Sequence, residues 1–523
     1  MIDQMEQKII IKKNTYYDSV SLMNLTEKAK LLPDIKDAVV AMGTETNIQL
    51  LKGIGFTDSR LDESGPNDLV IAIDAIDLDS AEKASRAIED LLVEKKSSED
   101  KADEVQVASL QYAIKQNPEA NVVLISVPGE YAYLEAKKAL LADKHVMLFS
   151  DNVTIEQENR LKELAVSKGL LMMGPDCGTA IINNVPLAFA NQVPKGPIGI
   201  VGASGTGSQE VSSLIARAGS GISQLIGTGG RDLSEKIGGK IMMLGIEALN
   251  DDPDTKVIVL ISKPPAQSVM EKVLSKASMC KKPVIVHFIG GDRSMVEKHR
   301  LIATESLEET ALKAVEVTMG KAITLSVDNS DLEKVAASES AKMSKRQKYI
   351  RGLYSGGTLC DEAMIFLQRK FGKIFSNTPL DRDTIVDLGD DEFTKGKAHP
   401  MIDLAYRKMR LLNEAKDTEV AVVLLDIVIG YGSHPDPAGA MVETIIIAKK
   451  EFEKHGQYLS VIASVCGTES DPQVLSKQEA KLKEAGVICM PSNYQAVRLA
   501  AKVKEVLLRG RKSNVHPESF RDK

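Results

Sequence analysis

The sharpest chemical signal in the chain is residues 430–440, GYGSHPDPAGA, which follow an apolar run directly. His434 sits among Gly, Pro and Asp at the point where a strand should leave its sheet. Ligands of open parallel sheets bind at that edge. An imidazole there can work as general acid or base, or donate to an anionic substrate. Asp436 is placed to orient it, and Gly432 and Ser433 complete a substrate-facing loop. The plainer alternative is a surface histidine held in a Pro-rich turn.

Two further segments carry chemistry of another kind. Residues 200–210 (IVGASGTGSQE) and 354–362 (YSGGTLCDE) each read as strand, small-residue loop and helix start. Unpaired amides and the helix dipole attract phosphate or carboxylate at such a start, and small residues let the ligand approach. The candidate anion-binding residues are Ser204, Gly205, Thr206 and Gly207, then Ser355, Gly356, Gly357 and Thr358. No Lys follows the glycines and no full GxGxxG is present, so neither a P-loop nor a dinucleotide fingerprint is expected. Lys263, in SKPPAQ (262–267), offers an anion partner at the equivalent edge. Residues 386–400 (VDLGDDEFTKGKAHP) form an acidic edge loop with Asp387, Asp390 and Asp391, to which Lys397 and His399 could belong; Arg231 and Asp232 occupy its counterpart. These carboxylates could hold Mg²⁺ through water, or bind an amide or amine. The five Cys, at 177, 280, 360, 466 and 489, show no metal spacing, so no protein metal site is assigned.

The elements that must position these residues follow from periodicity. Runs such as NVVLISVPG (121–129), VIVLIS (257–262), PVIVHFIGG (283–291) and VAVVLLDIVIG (420–430) suit strands buried on both faces, alternating with amphipathic helical stretches. That alternation predicts parallel α/β sheets. An internal repeat underlies it. Ser204-Gly205-Thr206 answers Gly356-Gly357-Thr358, DDPDTKVIVLI (251–261) answers AKDTEVAVVLL (415–425), and PVIVHFIGG answers LSVIASVCG (459–467), in order. Residues 1–104 read as a small α+β domain, 105–195 as a Rossmann-like domain, and 196–325 and 346–523 as the two copies, joined by a linker at 326–345.

Composition narrows the function. The chain has 523 residues and a net charge of −7, with ten Phe, eleven Tyr and no Trp. It lacks the basic surplus and stacking residues of a nucleic-acid binder. No apolar run approaches a membrane span, and the N-terminus does not read as a signal peptide, so a cytoplasmic protein is expected.

These motifs resemble the alpha subunit of succinyl-CoA synthetase over residues 105–300: GPDCGTAI (174–181), GASGTG and the KPVIVHFIGG strand occur in the family's order. End to end the chain is similar to the FdrA family of acyl-CoA synthetase-like proteins, through DSVSLM (18–23), MGTETN (42–47), LYSGGTLCDEA (353–363), VDLGDDEFTKGKAHPMID (386–403) and GSHPDPAGA. The resemblance implies a Rossmann-like CoA-binding-type domain followed by two flavodoxin-like ligase-type domains. It also implies a subunit of an oxamate carbamoyltransferase in anaerobic allantoin and purine degradation, acting with two other subunits on oxalurate and phosphate to give oxamate and carbamoyl phosphate. Two alternatives stand beside it. One is an alpha-type subunit of a nucleotide-dependent acyl-CoA synthetase, with His434 as the phosphohistidine; the other is a non-catalytic scaffold. No cofactor follows from the sequence. The glycine-rich CoA loop has no counterpart before residue 120, and Mg²⁺ enters only through the acidic loop.

Overall fold

The computed structural model describes residues 6–15, 17, 19–30, 32–99, 109–324, 327–376, 382–394 and 398–512. The chain separates into two compact units, Met1–Val107 and Ala108–Lys523.

In the first unit β1 (Glu6–Lys12), β2 (Ile35–Met42) and β3 (Leu69–Ala75) form an antiparallel sheet in the order β1-β3-β2. Successive side chains of β3 point to opposite faces. Val70 and Ala72 pack with Leu51 and Phe56 on one side, while Ile71 and Ile73 pack with Leu22 and Ile88 on the other. A strand covered on both faces explains its unbroken apolar run.

The second unit begins with a short parallel sheet of β4 (Val122–Ile125), β5 (His145–Leu148) and β6 (Met172–Met173). Next come β7 (Thr179–Ile182), β8 (Val185–Ala188), β9 (Lys195–Ala203), β10 (Ile222–Gly227), β11 (Val257–Ser262), β12 (Val284–Phe288) and β13 (Ile302–Ala303), in the order β13-β12-β11-β9-β10-β7-β8. The third sheet holds β14 (Tyr349–Tyr354), β15 (Phe375–Ser376), β16 (Thr384–Asp387), β17 (Val420–Val428), β18 (Ser460–Cys466) and β19 (Ile488–Met490), in the order β15-β16-β14-β17-β18-β19. The cores β10-β9-β11-β12-β13 and β16-β14-β17-β18-β19 have the same parallel order, that of a flavodoxin-like doubly wound sheet. The fold is therefore α/β, with the ligase-type unit present twice.

Two boundaries differ from expectation. The hairpin β7–β8, placed with the Rossmann-like half by its position in the chain, extends the first ligase sheet, because Ile181 pairs with Leu225 of β10. The expected linker is largely the helix Asn329–Ala341, which buries Leu332 and Ala336 in the same core as Ala500 and Val503 of the helix Asn493–Lys512. Only a few of its positions are apolar, so its composition read as exposed. That core also takes residues from both copies, among them Ile200, Leu214, Tyr354 and Leu359.

Candidate functional site

β9 ends at Ala203 and the helix Gly205–Arg217 begins at once, with Ser204 as its N-cap; Ser204 Oγ accepts from the Gly207 amide at 3.2 Å. In the second copy β14 leads into the helix Gly357–Phe371, whose N-cap Gly356 has no side chain to offer. The two helix starts meet head to head, and Ser204 Oγ shares a 2.7 Å hydrogen bond with Thr358 Oγ1. Glycine is required where they touch. A Cβ on Gly207 would lie 2.8 Å from Thr358 Cγ2, and one on Gly356 would lie 3.0 Å from Thr206 Cβ.

A carboxylate of the protein itself supports the second start. Asp426, buried in β17, accepts from the Ser355 amide (2.8 Å), the Ser355 hydroxyl (3.1 Å) and the Gly356 amide (2.7 Å). Its charge is balanced by the buried Arg407, whose Nη2 donates to Asp426 Oδ1 at 2.7 Å and also to the Leu353 carbonyl. Ser355 and Gly356, expected to face a ligand, are thus engaged by Asp426, and Ser204 and Thr358 by each other. The amides of Gly357 and Thr358 remain, as first residues of a helix, without an intrahelical acceptor.

Charged groups collect around Gly357. A Cβ there would lie 2.5 Å from Asp387 Oδ2 and 3.5 Å from Lys263 Nζ. Lys263 pairs with Asp361 at 3.0 Å. Burial pulls its ammonium down, but Asp361 and Asp387 outweigh that and hold it above its ordinary value. Burial pushes the Asp387 carboxyl up to about 7, with Lys263 opposing. His399 closes the group. A Cβ on Gly389 would lie 2.8 Å from His399 Nε2 and 3.2 Å from Asp387 Oδ1, so the two side chains flank the same point. Burial lowers the His399 ring to about 4, against the charge of Asp426, and the ring packs on Phe189 at 5.6 Å.

The His434 loop joins this group through one residue. Met401 donates its amide to His399 Nδ1 at 3.2 Å, and its carbonyl accepts from the His434 amide at 2.8 Å. His434 Nδ1 accepts from the Asp436 amide at 3.0 Å. In the neutral ring the proton is then on Nε2. The expected role of Asp436 is corrected. Its carboxylate caps the helix Pro437–Lys454 and binds Lys481 (2.5 Å) and Gln478 (3.0 Å), so it is occupied away from the imidazole. Gly432, at φ +76°, lies against Phe189. The Ser433 hydroxyl is buried with no partner among the described residues. Asp390 is exposed and turns the chain by accepting from the Glu392 amide at 3.0 Å. Lys397 lies outside the described residues. The counterpart loop is structural. Asp232 takes the Ile241 and Met242 amides and pairs with the fully buried Lys162, and Arg231 pairs with Glu158. Among the described residues no group of three or more His, Cys, Asp or Glu could hold a metal ion.

Asp426, Arg407 and Asp361 were not singled out from the sequence. A lone Asp inside VAVVLLDIVIG was a usable signal, because a carboxylate in a fully buried strand must be paired. Arg407 had no such signal in AYRKMR.

The comparisons accord with this architecture. Residues 353–503 match a model described as CoA-ligase, residues 194–290 a CoA binding domain, and residues 5–108 an AllF, heavy metal-associated domain. The chain is 46% identical to the uncharacterized protein YahF of Escherichia coli (strain K12), across 95% of this chain and 98% of that protein. It belongs to the YahF family. The chain also resembles subunits of acid–CoA ligases. The chain is 26% identical to the ADP-forming sulfoacetate-CoA ligase subunit SauD of Bilophila wadsworthia, over 35% of this chain and 63% of that one. It is also 26% identical to the alpha subunit of ADP-forming succinate–CoA ligase of Methanothermobacter thermautotrophicus, over 34% and 60%. It thus spans less than two thirds of either ligase subunit. ATP citrate lyase from Methanothrix soehngenii, solved with citrate and coenzyme A, aligns over 79% of this chain and 86% of that one at 11% identity and a TM-score of 0.36. The carbamoyltransferase expectation is overturned. The models covering both ligase-type copies are CoA-binding and CoA-ligase, and the relatives named for an activity are acid–CoA ligases. The chain is a succinyl-CoA synthetase alpha-like protein. The heavy-metal label does not fit the first unit, since residues 1–107 contain neither Cys nor His, the donors a soft metal selects. No helix among the described residues is long and apolar enough to cross a membrane.

Proposed function

We propose that the chain is the alpha-type subunit of a nucleotide-dependent acid–CoA ligase that handles a small anion at its paired helix starts. The observation that carries this reading is their head-to-head contact, Ser204 to Thr358 at 2.7 Å, which aims two helix dipoles at one locality beside Lys263. The Gly357 and Thr358 amides and the Lys263 ammonium would receive a carboxylate or phosphoryl oxygen. A carboxyl titrating near 7, like that of Asp387, is suited to taking or giving a proton at neutral pH. His434 belongs to this reading through its loop, which Met401 ties to His399. The sulfoacetate and succinate ligases point to a small, doubly anionic acid as substrate, and the end-to-end motifs support membership of the FdrA family.

CoA is a substrate in this reading, and the segment that matches a CoA binding domain, residues 194–290, includes the first helix start. Gly129, at the first strand-to-helix turn of the Rossmann-like half, is there for packing, since a Cβ would lie 2.2 Å from the Asp151 carbonyl oxygen.

The test is ADP release by the chain copurified with its partners, given ATP, CoA and succinate or sulfoacetate. ADP formation that requires both acid and CoA and falls steeply in Lys263→Met supports the reading. Its absence from the intact complex overturns it. A scaffold role is favoured by one observation, that the helix-start hydroxyls are satisfied internally. Complex activity unchanged in both Lys263→Met and His434→Ala would establish that role instead.

A further inference from the structure

A cavity of about 340 Å³ opens between the two copies, at the C-terminal end of β12 and along the helix Gly357–Phe371. It is separate from the helix-start site. Arg369, on its rim, is twelve residues beyond Gly357, about 18 Å along the helix axis. Its apolar lining is Ile289, Ile365, Phe366 and Tyr494, with the last two rings edge to face at 5.5 Å, and its two carboxylates are already engaged, Glu305 by Arg293 and Glu362 by the Leu307 amide and Asn493 Nδ2.

Two polar groups in it are unspent. His287 points from β12 into the cavity and is only 3% exposed. Its Nδ1 donates to the Thr304 carbonyl at 3.1 Å, so the neutral ring presents a bare acceptor at Nε2. That nitrogen is buried without a partner. A buried acceptor left unpaired costs about 1–3 kcal/mol, and such atoms are rare in folded proteins. The ring is held neutral, burial lowering it to about 4, and Arg369 adds to that effect. Arg369 is exposed at the mouth and has no ion-pair partner among the described residues, whereas its neighbour Lys370 pairs with Glu505 at 2.8 Å. The cavity therefore offers an acceptor at its floor, an unneutralised guanidinium at its rim and an apolar wall between them, in a volume ordinary for a small-molecule site.

We propose that this cavity binds a small organic acid bearing a hydroxyl or N–H donor, with the donor on His287 Nε2, the carboxylate on Arg369 and the carbon skeleton against Phe366 and Tyr494. Binding there would bridge the first copy, through β12, to the helix of the second copy that begins at the proposed active site. The acid is an effector or second ligand, and its binding does not depend on the ligase reading.

The experiment is titration calorimetry on the full chain with two matched pairs of acids, lactate against propionate and mandelate against phenylacetate. A site built to pair a hydroxyl rejects the analogue lacking it by roughly tenfold or more. The expected result is saturable binding of at least one hydroxy acid, roughly tenfold weaker binding of its deoxy partner, and a comparable loss in Arg369→Gln, an exposed position that leaves the core untouched. His287→Phe, checked for folding by its thermal transition, should abolish the preference for the hydroxyl. Equal binding within both pairs, binding unaffected by Arg369→Gln, or no binding of any acid at millimolar concentration overturns the proposal and leaves a buried water as the partner of His287.

Discussion

The two copies of the ligase-type unit solve the same problem, how to begin a helix at the end of a buried strand, by different means. The first is self-capped, with Ser204 serving Gly207 three residues ahead. The second has glycine at that position and draws its acceptor from β17, where Asp426 serves Ser355 and Gly356 and is itself held by Arg407. A cap built from the local chain needs no other element. A cap built from a distant carboxylate ties the helix start to a second strand and a third helix. The charged cluster of Lys263, Asp361, Asp387 and His399 has gathered at that second start. Yet the copies are matched elsewhere. Glu210 and Glu362, equivalent in the repeat, are both buried and both pushed up by burial, Glu362 to about 7. Asn493 bridges them, its amide to Glu210 (3.1 Å) and its Nδ2 to Glu362 (2.8 Å).

If the second cap is the stronger one, Asp426→Ala should cost far more than Ser204→Ala. The first strands a buried guanidinium and three donors, at about 3–5 kcal/mol, while the second removes an ordinary cap, at about 1 kcal/mol. Urea denaturation midpoints measure both, and equal costs would break the comparison. Next in size is a pH effect. Glu362 binds its proton more tightly folded than unfolded, so stability should fall as pH rises from about 4.5 to about 7, by on the order of 3 kcal/mol. Glu362→Gln should flatten that slope between pH 5 and 8, roughly three units of ordinary buffer range. Gly356→Ala, which presses a methyl between Thr206 and Asp426, should destabilise by about 1–3 kcal/mol, whereas Gly205→Ala, whose Cβ would only graze Thr179 Oγ1 at 3.4 Å, should be nearly neutral. A small stability change, under about 1 kcal/mol, is expected for Lys263→Met, because its pair with Asp361 is partly exposed. Anion affinity should respond more. Sulfate binding should strengthen as pH drops through about 7, when Asp387 loses its charge, and this dependence should vanish in Asp387→Asn. Calorimetry at several pH values checks it.

The repeat, the parallel sheets and the position of both helix starts were legible because periodicity and small-residue loops report local backbone. What the loops face was not legible. Ser355 reads as a ligand donor until β17 brings Asp426 beside it, 71 residues along the chain. Asp436 reads as a partner for His434 until the helix it begins claims its carboxylate. The carbamoyl-transfer expectation failed differently. It rested on a resemblance and on a missing loop, and a missing loop identifies no reaction.

Asn493 has a consequence for how the protein is made. Its two glutamate partners precede it by 283 and 131 residues. During synthesis both carboxylates are in place long before the segment that satisfies them leaves the ribosome. Non-local closures of this kind slow folding, and they leave apolar surface open while they wait. The first unit, with no such debt, can fold as it emerges. The two copies cannot finish their shared core until nearly the whole chain has been translated, so truncated products that stop before residue 490 should aggregate rather than persist as one folded copy.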